Sequence, residues 1–479
     1  MNSDRLVLVT GATGYIGRCL IPRLLEKGYR VRALVRDPAR LSGQSLWSQV
    51  EVVQGELSSP GSLNRSMQGV STAYYLVHNM ASGRDYAERE IDSARNFSQA
   101  AGENGVEHII YLGGLADPGK DIGLHLRSRI KTGDILRQGS VPVTEFRASL
   151  IIGSGSISFE LIRYLTEQFP ILFGPLWIHN HTQPIAVKNV LDYLLSALDS
   201  QSCRGKIYEI GGKDVLTYAE VISVYARLRG LKRLIIALPG LSVDLMGQLA
   251  GKLTPVPARI ARSLLGGMRG NSVVCADVAK EDFPHIQPLN YEASVLMALD
   301  CLSPDNLEPI WENHESWFRI KREGFFIEGQ GIRSRVQPDA AYRVFTGLGG
   351  RRGWLYLNWL WKFRGLFDGL IGGPGLRGRR EVGALIEDDI LDFYRVEVLE
   401  PGRRMRLKSE LKAPGLAWME WRVTGQAGGD VLLTQIAFFA PHGFLGFLYW
   451  YTLLPVHHLV FMGLLRAIVR QASEIQKRR

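Results

Sequence analysis

Three glycines spaced three apart, in the stretch TGATGYIG that begins at Thr10, separate an apolar run from a segment of helical period. Residues 5–10 carry Leu6, Val7, Leu8 and Val9 without a polar break, as in a parallel strand covered on both faces. Residues 15–27 place Ile16, Leu20, Leu24 and Leu25 at helical spacing, Gly28 marks a stop, and a second strand follows over 29–35. Gly11, Gly14 and Gly17 therefore fall in a strand-to-helix turn. With no side chains there, the backbone can approach a pyrophosphate, and the helix N-terminus adds amide donors and a favourable dipole. A glycine triplet alone is weak evidence; its βαβ setting favours a phosphate-binding turn over a simple tight turn. Thr13, Tyr15 and Ile16 belong to the same candidate cofactor site. The second strand ends Val35-Arg36-Asp37. Arginine at this place suits the 2′-phosphate of NADP, and an acidic residue suits the ribose of NAD. Arg36 comes first and Arg40 follows, which favours NADP(H); Asp37 keeps NAD(H) open.

A chain of 479 residues is long for one domain and implies two or three. The net charge of +10 is spread out, with short basic clusters at 350–352, 377–380 and 476–479. None is interleaved with aromatics as a nucleic-acid groove requires, so no nucleic-acid partner is expected. Cys19, Cys203, Cys275 and Cys301 lie far apart with no CxxC, which fits a reducing compartment and argues against a metal site. The start of the chain enters a strand at once, so no cleavable leader is expected and a cytoplasmic location is.

GATGYIG and the ALVRDPARL after the second strand resemble the short-chain dehydrogenase/reductase superfamily, in particular its extended and atypical NmrA-like members. VEVVQGELSSPGSL resembles the family's third strand and acidic turn, with Glu56 beside the adenine and Leu57 next to it. STAYYLVHNM resembles the fourth strand, ending at Leu76, Val77 and His78, while VEHIIYLGGL and VPVTEFRASLIIGSGS resemble the fifth and sixth. The resemblance spans about 1–300 and implies a doubly wound parallel Rossmann sheet with a substrate lobe and an NAD(P) cofactor. Its active members use a Ser or Thr, together with Tyr and Lys spaced YxxxK; the tyrosine moves the substrate proton and the lysine lowers its pKa. In HLRSRIKTGDILRQG those last two places hold His125 and Arg129, and the Ser/Thr place falls on Gly113 or Gly114. Two readings follow. Either His125 is the acid/base, with Arg129 keeping a positive charge near the ribose, or the site binds cofactor without turnover. His78 gains weight because strand C-termini face the ligand crevice in such sheets.

Thr217 and Glu220 fit a helix capping box, and ALPGLSVDLMGQLAGKLTPVPARIARSLLGGMRG suits either a lid over a nonpolar substrate or an ordinary packing pair of helices. His179 and His181 lack further ligands nearby and read as surface loop. Residues 301–325 read as a polar linker, and 326–479 as a smaller α+β domain with a helix over 339–347 and hairpin turns at Glu400-Pro401-Gly402 and Gly428-Gly429-Asp430. A strand, a helix, hairpin strands and a long final helix are the order of a helix-grip fold. The ending FLYWYTLLPVHHLVFMGLLRAIVRQA resembles the uncharacterised C-terminal domain fused to NmrA-like proteins in bacteria. Residues 431–465 contain no Asp, Glu, Lys or Arg. A helix lining an apolar cavity is the first expectation there, peripheral contact at the inner face of the membrane the second, and a true span the third. The expected activity is reduction of a small hydrophobic carbonyl or enone by NAD(P)H. The alternative is a non-catalytic NADP(H)-binding redox sensor or hydrophobic-ligand-binding protein.

Overall fold

The computed structural model describes residues 5–41, 45–78, 86–117, 122–307, 316–380, 384–426 and 429–477. The chain divides into two compact units, Met1–Cys301 and Leu302–Arg479.

The first unit is built on a parallel sheet. Strands β1 (Leu6–Thr10), β2 (Arg30–Val35), β3 (Glu51–Gln54), β4 (Thr72–Tyr75), β5 (His108–Gly114) and β6 (Val143–Ala148) are joined by a seventh, Ile207–Ile210. Their spatial order is Ile207–Ile210, β6, β5, β4, β1, β2, β3. The unbroken apolar run of β1 is explained by its two neighbours in depth. Val7 and Val9 pack with Leu20, Ile21 and Leu24 of helix α1 (Tyr15–Glu26) on one face. Leu6 and Leu8 pack with Leu63, Phe97 and Leu136 on the other, from helices α2 (Pro60–Met67), α3 (Tyr86–Glu103) and α4 (Leu124–Arg137). Each apolar side chain removed from water in this way contributes about 1.5–3 kcal/mol before chain entropy is counted. The strand order reverses between β1 and β4, and the glycine turn sits at that switch point, where ligands enter open α/β sheets.

After β6 the chain adds helices that cover the cleft side of the sheet. Helix Tyr218–Leu228 opens with the expected capping box: the Glu220 amide donates to Thr217 Oγ1 at 3.1 Å, and the Thr217 amide to Glu220 Oε2 at 2.7 Å. Helices Val243–Leu253 and Ala258–Gly267 pack as a pair through Gly247 and Gly251, where a Cβ would run into Arg262 and Ala258.

The second unit is an antiparallel sheet in the order Phe318–Arg322, Phe325–Ser334, Val431–Pro441, Gly415–Gly425, Arg404–Ser409, Tyr394–Glu400, Ile390–Leu391. Helices Pro338–Phe345, Asn358–Leu370 and Gly443–Lys477 accompany it. One sequence expectation is corrected. Phe318–Arg322 is a strand paired with Phe325–Ser334 through a turn at Glu323 and Gly324 (φ 51° and 83°), so the linker read over 301–325 cannot run to 325. Residues 308–315 of that stretch lie outside the described residues. The uncharged stretch 431–465, part of which reads as strand in the sequence, divides accordingly: Val431–Pro441 is a buried central strand, and the helix begins at Gly443.

Candidate active site

The C-terminal ends of β1, β2, β4, β5 and β6 border a cleft of about 910 Å³. Every site residue read from the sequence lines it: Gly11, Thr13, Gly14, Tyr15, Ile16, Gly17, Arg36, Glu56, Leu57, Leu76, Val77, His78, His125 and Arg129.

Its floor is the β1–α1 turn. Gly11 has φ +72°, and a Cβ there would lie 2.7 Å from the Leu76 carbonyl oxygen. Only glycine takes this backbone shape cheaply while lying against β4. A Cβ on Gly17 would approach Ala12 Cα to 2.8 Å, so this glycine lets α1 close onto the turn. Gly14 occupies the N-cap of α1 and no side chain caps the helix, so the dipole end faces the cleft undiluted. This is the cradle that a nicotinamide dinucleotide pyrophosphate fits. Thr10 Oγ1 ties β1 to β4 by donating to Tyr74 O at 2.8 Å.

Arg36 is exposed at the end of β2, on the cleft rim. The side chain of Arg40 lies outside the described residues. The Glu56–Leu57 loop is held by Ser62, whose hydroxyl accepts from the Glu56 amide at 3.1 Å, and by Asn96, which donates to Leu57 O at 3.2 Å.

The opposite wall holds the titratable groups. Beyond β4, His78 Nδ1 pairs with Glu90 Oε1 of α3, and His78 Nε2 lies 2.8 Å from His125 Nδ1 in the first turn of α4. Ser128, three residues after His125, donates to the other Glu90 oxygen. The two imidazoles sit with centroids 4.5 Å apart, tilted by 40°. Burial, then the neighbouring His78 and Arg129, holds His125 well below the ordinary imidazole value. His78 is lowered by burial and Arg129 against the opposing pull of Glu90. Both rings are therefore neutral at pH 7. Arg129 donates to Leu112 O and lies 5.7 Å from the Tyr111 ring centroid, while Tyr111 donates to Arg129 O at 2.9 Å. It lines the cleft as expected, with part of its hydrogen bonding spent on β5.

Gly113 and Gly114 line the cleft at the end of β5, where the resemblance puts a Ser or Thr. A Cβ on Gly114 would meet Leu126 at 2.8 Å, and one on Gly113 would meet Tyr111 and Glu145 at 3.2 Å. A serine at either place would need its neighbours to give way. Sequence reading missed Glu90, Ser128 and Tyr111, and also a hydroxyl cluster on the β6 side. There Ser149 Oγ lies 2.7 Å from Thr182 Oγ1 and 2.8 Å from Ser272 Oγ, and Tyr218 Oη lies 3.4 Å from Ser272 Oγ. The i, i+3 spacing of His125 and Ser128 was the one local signal. Leu126, Leu150, Leu264 and Met268 add apolar groups to a lining that also holds Ser156 and Ser158, and of the two helices after residue 242 the second, Ala258–Gly267, borders the cleft.

Residues 3–149 match the NmrA-like family. Residues 326–464 match a family described as protein of unknown function (DUF2867). The NmrA-like part is similar to (4-alkanoyl-5-oxo-2,5-dihydrofuran-3-yl)methyl phosphate reductase of Streptomyces griseus, 28% identical over 47% of this chain and 74% of that protein. It is also similar to the photosystem II assembly factor Ycf39 of Trieres chinensis, 24% identical over 51% of this chain and 76% of that one. Among solved structures, the Citrobacter sp. triphenylmethane reductase complexed with NADP(H) shares the fold with a TM-score of 0.50 at 22% identity, covering 61% of this chain and 99% of that one. The family match and the similarity to a reductase support an NAD(P)-binding, reductase-type function for the first unit.

Proposed function

We propose that the protein is an NADP(H)-dependent oxidoreductase that reduces a small hydrophobic carbonyl or enone, with His125 as the proton donor. The observation that carries this reading is the hydrogen-bonded series Ser128–Glu90–His78–His125, which ends in the cleft across from the glycine cradle. Gly11, Gly14 and Gly17 would hold the pyrophosphate, Arg36 the 2′-phosphate, and Glu56 and Leu57 the adenine end. Bound NADPH would supply the hydride to the carbonyl carbon.

The proton reaches the carbonyl oxygen from the protein. With Nδ1 engaged by His78, His125 donates from Nε2. Its Nδ1 then takes the proton of His78 Nε2, and His78 Nδ1 takes the carboxyl proton of Glu90. One proton has moved from Glu90 to the product alcohol, and the carboxylate left behind is held by the His78 N–H and the Ser128 hydroxyl. Such a relay needs neutral rings, which burial favours here, and a Glu90 carboxyl that takes a proton from solvent before each turnover, which is part of the proposal. The apolar wall of Leu126, Leu264 and Met268 favours a nonpolar substrate body and excludes water.

NADPH oxidation followed across a panel of apolar aldehydes, ketones, enones and quinones tests the reading. Wild type is expected to turn over at least one of them. His125→Phe is expected to lose about 10²–10⁴ in rate while keeping its NADPH affinity. An active His125→Phe protein removes the assigned role. A second reading is a cofactor-binding protein without turnover; it is favoured by the absence of a Tyr/Lys pair on α4 and by the relative that is an assembly factor. NADPH binding with no oxidation by any panel member would support it.

A further inference from the structure

The final helix, Gly443–Lys477, is buried towards its two ends: Gly446, Phe447 and Trp450 near its start, and Leu464, Leu465 and Ile468 in its second half, with no buried residue over 451–459. Trp450 stacks on Phe326 and Phe439 of the sheet at centroid distances of 5.6 and 5.4 Å. The outer side of its first half is apolar and open to solvent. Phe444, Leu445, Leu448, Tyr451, Val456 and Leu459 are all exposed, Leu445 by 64%.

Helix Asn358–Leu370 lies beside it, with Arg364 donating to Tyr449 Oη at 2.8 Å. This helix also turns its large side chains outward. Trp359, Phe363, Leu366, Phe367 and Leu370 share one helical face, and Trp359 and Leu370 are 65% and 78% exposed. Two helices joined by that hydrogen bond thus each present a row of exposed aromatic and aliphatic groups.

We propose that this face is a docking surface for an anionic lipid bilayer, into which the two helices insert shallowly. The charge pattern selects lipid over other occupants. Residues 351–380 hold seven Arg or Lys and one acidic residue, Asp368. That carboxylate is buried, accepting from the amides of Gly375 at 3.0 Å and Lys412 at 2.7 Å. Residues 431–465 hold no charged side chain. The two segments are therefore apolar with cationic side chains and no exposed carboxylate of their own, while Arg377 and Arg380 are paired with Glu410 and Asp389 from elsewhere in the unit; this is the composition of an interfacial helix on anionic lipid. Two copies meeting through this face would bring like-charged segments together. Gly443–Lys477 is long and apolar enough to cross a membrane, but a span would have to strip Phe447 and Trp450 from the sheet core. Lying flat keeps that core and buries only the outer stripe.

Flotation of the full-length protein with vesicles tests the proposal. Binding to phosphatidylcholine vesicles containing a third phosphatidylglycerol is expected, with little binding to phosphatidylcholine alone and a decline as salt is raised. The double variant Leu366→Glu/Leu445→Glu should partition at least tenfold less while retaining NADPH binding. Brominated lipid should quench tryptophan fluorescence in wild type, with less quenching in Trp359→Phe; this readout does not depend on a disruptive variant. No vesicle binding, equal binding to neutral vesicles, or a dimer in light scattering that the double variant dissolves would overturn the proposal. So would release from cell membranes only by detergent and not by carbonate, which would mean a span.

Discussion

The two units earn their stability in different ways, and the contrast explains why one of them shows its purpose in the sequence. The first buries both faces of a parallel sheet and spends its glycines on one turn, so its chemistry sits at a predictable edge. The second buries one long helix against an antiparallel sheet and places charge inside. Arg406 and Glu420 are both fully buried and paired at 2.8 Å, with Asp305 and Glu397 also on the arginine. Its open surface, by contrast, carries apolar groups.

Removing one side of the buried pair should break the contrast most severely. Arg406→Ala removes the buried guanidinium from Glu420, Asp305 and Glu397, while Arg422 and Arg404 still reach Glu420, so the cost is expected to stay below the roughly 3–5 kcal/mol of a buried pair broken outright. The unfolding transition of the C-terminal unit is expected to fall sharply in calorimetry, while NADPH titration still saturates. Loss of both together would show that the units do not fold independently.

The next effect lies in the cleft. Arg36→Ala should weaken NADPH by about 1.5–3 kcal/mol, roughly tenfold or more, and leave NADH nearly unchanged. Titrating both cofactors against both proteins checks it, and equal losses would remove Arg36 from the 2′-phosphate. Gly11→Ala should act on both cofactors alike. Its left-handed backbone costs about 1–2 kcal/mol with a side chain, before the clash with Leu76 is added. A lowered melting temperature with weaker binding of NADPH and NADH is the expected pair of results.

The part of the site legible in the sequence was the part built from local spacing. Gly11, Gly14, Gly17 and Arg36 are fixed by one strand–helix–strand unit, and the Thr217–Glu220 cap by four consecutive residues. Glu90 was not legible, because its partners His78 and Ser128 come from different elements and only the folded sheet brings them together. The same holds for Ser149, Thr182, Tyr218 and Ser272, which meet from four separate segments. In the second unit, Phe318–Arg322 was hidden by its polar, proline-containing flank. The helix Asn358–Leu370 was hidden for a subtler reason: its Trp and Phe spacing is what a core helix shows, and periodicity does not say which side faces out.

A smaller effect should follow from acid. Burial holds His78, His108 and His125 below the ordinary imidazole value, with His108 near 4. Below about pH 6.5 the unfolded chain takes up protons on these rings that the folded unit does not. The stability of the N-terminal unit is therefore fully present above that pH and is lost progressively toward pH 4. Denaturation midpoints at pH 7.5, 6 and 5 should decline in that order, and a midpoint that stays level would contradict the burial argument.

The central claim is that the first unit alone holds a nicotinamide cofactor, at the glycine turn and across to His125. Hydrogen–deuterium exchange of the full chain with and without NADPH tests it most directly. The account predicts added protection in residues 10–17, 55–57 and 112–129, and none in 326–477. Protection confined to the second unit, or no change anywhere at saturating NADPH, would contradict it.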